Sequence, residues 1–174
     1  LKEFLHSHEI PLYTVRSGDI SENGAWECLY PMKGAAFADG EDNHGSMVLR
    51  YTYGGTRILF AGDIGEKDEK RLLSEKCDVS ADILKVAHHG SKYSSSAAFL
   101  EAVSPKAAVI SCGKNNLYGR PHKETLERLS AESEEIYRID LQNTIMVTLK
   151  KNGEWSVQTL AEQKPVWEKW KIAV

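Results

Sequence analysis

Three stretches of this chain place metal-capable side chains directly behind an apolar run. I-L-F-A-G-D ends on Asp63, I-L-K-V-A-H-H on His88 and His89, and V-I-S-C-G-K-N-N-L-Y-G-R-P-H on His122. A carboxylate with two or three imidazoles is an oxygen and nitrogen ligand set suited to zinc, manganese or iron. A divalent metal in such a set lowers the pKa of water to about 7 and polarises a phosphoryl or acyl oxygen. Each residue also has a purely structural reading. Asp63 follows a glycine at a strand end, where it could cap the next helix, and a histidine before a glycine suits a turn. His122 follows a proline at a helix start and could simply face solvent. Agreement among three strand ends is what favours a joint site. His44, in E-D-N-H-G-S, is a weaker candidate. His6 and His8 form H-S-H, but Ile10 and Pro11 follow where a carboxylate would be needed, so both are assigned to a helix end.

For such residues to meet, the strands before them must leave one side of a sheet together, because a rigid scaffold fixes its exit loops. The pattern supports this. S-M-V-L-R-Y-T-Y (46–53) and T-R-I-L-F-A (56–61) flank Gly54-Gly55, a hairpin signal. A charged helix is expected over roughly 65–76, with Leu72 and Leu73 buried, and then a short buried strand over 81–87. A helix over 96–103, a strand over 107–112 and a helix over 123–129 follow. Strands are read at 12–15, 25–30, 136–139, 144–150 and 155–160, and residues 32–45 as a long loop. Strands first, then strand–helix alternation, then a closing hairpin fits an α+β fold, an αββα sandwich of two sheets with helices outside.

The 174 residues, 41% hydrophobic and 27% charged, suit one domain with an adequate core. A net charge of −3 provides no global basic field, so any nucleic-acid contact must be local. Cys28, Cys77 and Cys112 are widely spaced and read as free thiols. No apolar stretch approaches the ~20 residues needed to span a bilayer. The chain opens without methionine on L-K-E-F-L, which reads as a cut from a longer protein.

Taken together, G-S-M-V-L-R-Y-T-Y-G-G-T-R-I-L-F-A-G-D-I, A-D-I-L-K-V-A-H-H-G-S-K-Y-S-S-S and S-P-K-A-A-V-I-S-C-G-K-N-N-L-Y-G-R-P-H-K-E-T-L-E-R-L resemble the metallo-β-lactamase-like domain of ComEC-type competence proteins, which take DNA into bacteria. The resemblance runs from about residue 10 to 160. It implies a metallo-β-lactamase-type αββα fold of which this chain carries the second half, residues 1–160, with a tail at 161–174. It implies a divalent-metal hydrolase, two zinc or manganese ions in the intact domain, and DNA as the nuclease substrate. It also implies a membrane channel portion elsewhere in the parent protein, so the domain would be membrane-associated through that parent. By position, Asp63 matches the family's bridging Asp, and His88-His89-Gly90-Ser91 its second histidine motif. The metal ligands are then Asp63, His88 and His89, and the catalytic groups Asp63, His89 and His122. Ser91, Lys92, Lys114 and Arg120 would bind substrate, the last three through its phosphate, and Tyr93 and Tyr118 would stack bases. Two departures stand out. Arg120 occupies a position where the family often has histidine, and the H-x-D-x-D-H-type motif of the first half is absent, so this chain alone is expected to be inactive. The alternatives are a small-substrate phosphodiesterase or esterase of the same superfamily, or a non-catalytic binding module.

Overall fold

A computed structural model describes residues 2–35 and 45–160; His44 and the tail from Ala161 lie outside the described residues. The elements in chain order are α1 (Lys2–Ser7), β1 (Trp26–Tyr30), β2 (Val48–Tyr53), β3 (Thr56–Phe60), α2 (Glu66–Ser74), β4 (Ile83–Lys85), α3 (Ala97–Val103), β5 (Ala107–Ile110), α4 (Lys123–Glu132), β6 (Glu135–Arg138), α5 (Ile139–Gln142), β7 (Thr144–Leu149) and β8 (Trp155–Leu160). Strands β1 to β6 form one sheet in sequence order, and β7 and β8 form a second.

The change of character in the sequence is the change of direction in the sheet. β1, β2 and β3 are antiparallel, and the short Gly54-Gly55 turn joins β2 to β3. From β3 onward each strand is parallel to the last, and each crossover passes through a helix, as parallel pairing requires. In register, Leu59, Leu84, Ala108 and Ile136 lie side by side across β3 to β6. The first three are fully buried, in one core cluster with Leu72 of α2, Phe99, Leu100 and Val103 of α3, and Leu129 of α4. All three helices therefore cover one face of the sheet. Phe60, Lys85, Val109 and Tyr137, the next row in register, are only half-buried. The β7–β8 hairpin reaches back to the β2–β3 turn, where the Thr56 hydroxyl donates to the Gly153 carbonyl at 2.9 Å.

This is the expected α+β architecture, a sheet flanked by helices. Two local expectations differ. Residues 12–15 form no strand; Leu12 and Tyr13 are exposed, and the loop that follows meets β1 through an isolated Ile20–Glu27 bridge and backbone hydrogen bonds such as Gly18 N–H to the Cys28 carbonyl at 2.9 Å. A single helical turn, α5, stands where only a connection was read. α1 ends as expected at His6 and His8, the latter stacked on Phe4.

Candidate metal centre

The strand exits do converge. Asp63, His88 and His89 line one cavity of about 600 Å³ with Cys112, Gly113, Asn116, Tyr118 and Arg120. Two glycines permit this closeness. Gly62 has φ +54°, and a Cβ there would stand 2.6 Å from the Met47 carbonyl oxygen. Its own carbonyl accepts the His88 N–H at 2.9 Å, tying the Asp63 loop to the histidine loop. Gly90 has φ +82°, and a Cβ would stand 2.6 Å from the Pro121 Cβ. Its carbonyl accepts the His122 N–H at 2.9 Å.

Asp63 caps nothing. The N-cap of α2 is Gly65, and the Asp68 carboxylate accepts the Gly65 N–H at 3.1 Å. The Asp63 carboxylate is left to the cavity. His88 and His89 both adopt left-handed backbone, φ 48° and 57°. Such conformations cost an L-residue roughly 1–2 kcal/mol and gather at functional sites.

The tautomer of His89 follows from its partner. Nδ1 lies 2.6 Å from the Ser111 carbonyl oxygen, which can only accept, so Nδ1 donates. Nε2 then holds the ring's lone pair and lies 3.8 Å from Asp63 Oδ1. A cation between two acceptors so placed, either a ring proton or a metal ion, would satisfy both. Two ligand bonds of ~2.0–2.2 Å can bridge that separation, and an Nδ1–H held by a carbonyl is the usual support for a ligating imidazole. His88 is held below its ordinary pKa by burial and then by the Arg120 guanidinium, which favours the neutral ring that ligation needs. Among the described residues, no three His, Cys, Asp or Glu side chains gather closely enough to hold a metal ion. The pair Asp63–His89, with His88 beside it, is what this chain provides.

Other expected site residues stand elsewhere. The His122 ring accepts the Lys92 N–H through Nδ1 at 3.3 Å, at the N-cap of α4 and outside the cavity. Ser91 is buried, its carbonyl taking the Thr125 hydroxyl at 3.0 Å, so its place is in the loop scaffold. Lys92 lies over Tyr93 and lines a separate hollow of about 220 Å³ with Glu66 and Arg128. Lys114 is exposed and does not line the cavity. Of the four expected substrate-binding residues, only Arg120 lines the cavity.

Supporting residues escaped sequence reading. Asn116 holds the Arg120 peptide from both sides, accepting its N–H at 3.0 Å and donating to its carbonyl at 2.5 Å. Cys112 donates to Asp140 at 3.2 Å, and Asp140 is paired with Arg138 at 2.6 Å, so α5 anchors the loop that supplies Ser111. Burial and the Asp140 carboxylate raise the Cys112 thiol to about 11, keeping it protonated. Lys85 is pushed down by burial, opposed by Asp63; a lysine inside I-L-K-V-A was the available signal.

The metallo-beta-lactamase superfamily model matches residues 10–114. The chain belongs to that superfamily. Its members are generally hydrolases that bind divalent metals. The chain is 38% identical over 116 residues to ComE operon protein 3 of Bacillus subtilis, covering 66% of this chain and 15% of the relative. It is 36% identical over 130 residues to competence protein ComA of Neisseria gonorrhoeae, covering 74% and 19%. It is 35% identical over 103 residues to recombination protein 2 of Haemophilus influenzae, covering 59% and 12%. The chain thus spans less than a fifth of the length of these relatives.

Proposed function

We propose that this domain is a divalent-metal phosphodiester hydrolase acting on DNA, within a larger competence protein of the membrane. The observation that carries the reading is the Asp63–His89 pair: two lone-pair-bearing atoms 3.8 Å apart in a cavity that also receives a guanidinium. Asp63 and His89 would hold the metal, with His88 beside them. When bound, zinc or manganese supplies Lewis acidity and an activated water. The chain's own residues do the rest. Ser111 fixes the His89 ring, Gly62 sets Asp63 against the histidine loop, and Arg120 presents a fixed cation to a phosphate oxygen. Tyr118, beneath the Arg120 guanidinium at 4.8 Å, is exposed and offers a face to a base. His122 and Lys92, outside the cavity, belong to the loop framework in this reading.

DNA is favoured over a small ester by the names of the relatives, competence and recombination proteins, together with the exposed tyrosine at the rim. No helix among the described residues is long and apolar enough to cross a membrane, so attachment would come from other parts of the parent protein. The test is manganese- or zinc-dependent cleavage of DNA by the parent protein. Asp63→Ala should abolish cleavage and leave the fold intact. Cleavage retained in that variant would refute the site, and a folded parent that binds metal but cuts nothing would favour a non-catalytic module.

A further inference from the structure

Arg120 is the most unusual charge in this cavity. Its Nε is buried without a hydrogen-bond partner among the described residues, and no ion pair of its guanidinium is found there. Yet its placement is not loose. Its carbonyl and N–H are both clamped by Asn116, its guanidinium lies on the Tyr118 ring, and the following Pro121 packs against Gly90 of the histidine turn. A guanidinium that lines the cavity with N–H donors suits a ligand that accepts hydrogen bonds.

The same guanidinium limits what else can enter. It has five donors and no lone pair, and it does not lose its charge at accessible pH. It cannot ligate a metal, and it repels one. Its charge already bears on His88. The cavity lining therefore holds groups of both kinds: the acceptor atoms of Asp63 and His89, and the fixed cation of Arg120. We infer that the cavity takes one divalent cation at Asp63–His89 and one phosphate-type oxyanion at Arg120, instead of the two cations that the family resemblance implies. The inference rests on the proposed hydrolase reading for its setting, but it concerns charge and stoichiometry alone.

The experiment measures binding without turnover, on the intact parent protein. Mn2+ is counted by the electron paramagnetic resonance signal of the free ion, and inorganic phosphate binding is followed by phosphorus NMR in the presence of Mn2+. One Mn2+ per chain is expected. Phosphate should bind roughly tenfold more weakly, or worse, in Arg120→Gln, as loss of a charge-assisted contact implies. Arg120→Lys should recover part of the phosphate affinity, and Arg120→His should lose it while raising the Mn2+ count above one. Thermal melting of each variant confirms that it is folded. Two Mn2+ per wild-type chain, no Mn2+ binding, or a phosphate affinity unmoved by Arg120→Gln would each overturn the inference. A chain that binds one Mn2+ and one phosphate, in a parent that cuts no DNA, would defeat the hydrolase reading and leave the two-charge site standing. Cleavage by a protein with two Mn2+ in this cavity would do the reverse.

Discussion

Side by side in left-handed backbone, His88 and His89 hold a geometry that only their neighbours make tenable. Gly90 absorbs the turn against Pro121 at a separation no side chain could share. Gly90→Ala is thus expected to lower stability by more than about 1 kcal/mol, since both the positive φ and the space oppose a methyl group. It should also displace the histidines, which a fall in melting temperature accompanied by shifted imidazole NMR signals would reveal. Asp63 is the opposite case. Its side chain is 40% exposed and caps no helix, so Asp63→Asn should change stability by less than about 0.5 kcal/mol while removing metal binding. The sequence left Asp63 poised between capping and ligation. Asp68, three residues after Gly65, was the visible clue that the helix had its own cap, and it lies in the sequence as plainly as Asp63 does. The Ser111 carbonyl that sets the His89 tautomer was not legible, because a backbone contact between distant loops leaves no mark in residue type.

At the scale of elements, the hydroxyl-rich loop 91–96 is a fastening. The Ser94 hydroxyl donates to the Ile64 carbonyl at 2.8 Å. The buried Glu69 carboxylate of α2 accepts the backbone N–H groups of Ser95 and Ser96, and burial raises its pKa against their pull. Arg128 of α4 donates to the carbonyls of Lys92, Ser94 and Ser95. Arg128→Met should keep the helix yet loosen this loop, visible as faster amide hydrogen exchange at 92–96 than elsewhere; unchanged exchange there would count against the fastening. A second tie joins the α2–β4 loop to the sheet through Asp78, which meets Arg50 of β2 at 2.8 Å and Arg57 of β3 at 3.0 Å. The Ser80 hydroxyl and then Arg50 hold its carboxyl down to about 2, below the ordinary aspartate range. A depressed carboxylate stabilises the fold above its unfolded pKa and loses that contribution as pH falls through the folded one. Stability should therefore decline between about pH 4 and pH 2, and Asp78→Asn should flatten that part of the curve in acid titrations of the melting temperature.

Across the whole molecule, strand order and helix placement were largely readable because period and turn chemistry are local: the Gly54-Gly55 hairpin and the alternation of short buried strands with helices both appear as expected. The side of the sheet from which each loop leaves follows from parallel pairing, so the meeting of Asp63 with His88 and His89 was legible too. The fate of His122, Ser91, Lys92 and Lys114 was not, since loop side chains turn according to contacts made elsewhere. The core under the site is shared by β3, β4, β5 and all three covering helices. Leu84→Ala, at its centre, should cost about 2–5 kcal/mol in one cooperative unfolding step. The central claim is that Asp63 and His89 together hold a divalent ion, and anomalous X-ray diffraction from crystals grown with Mn2+ tests it most directly. A peak within bonding distance of both Asp63 Oδ1 and His89 Nε2, absent in Asp63→Asn, is the expected result. Manganese bound only elsewhere, or an unchanged peak in Asp63→Asn, would contradict it.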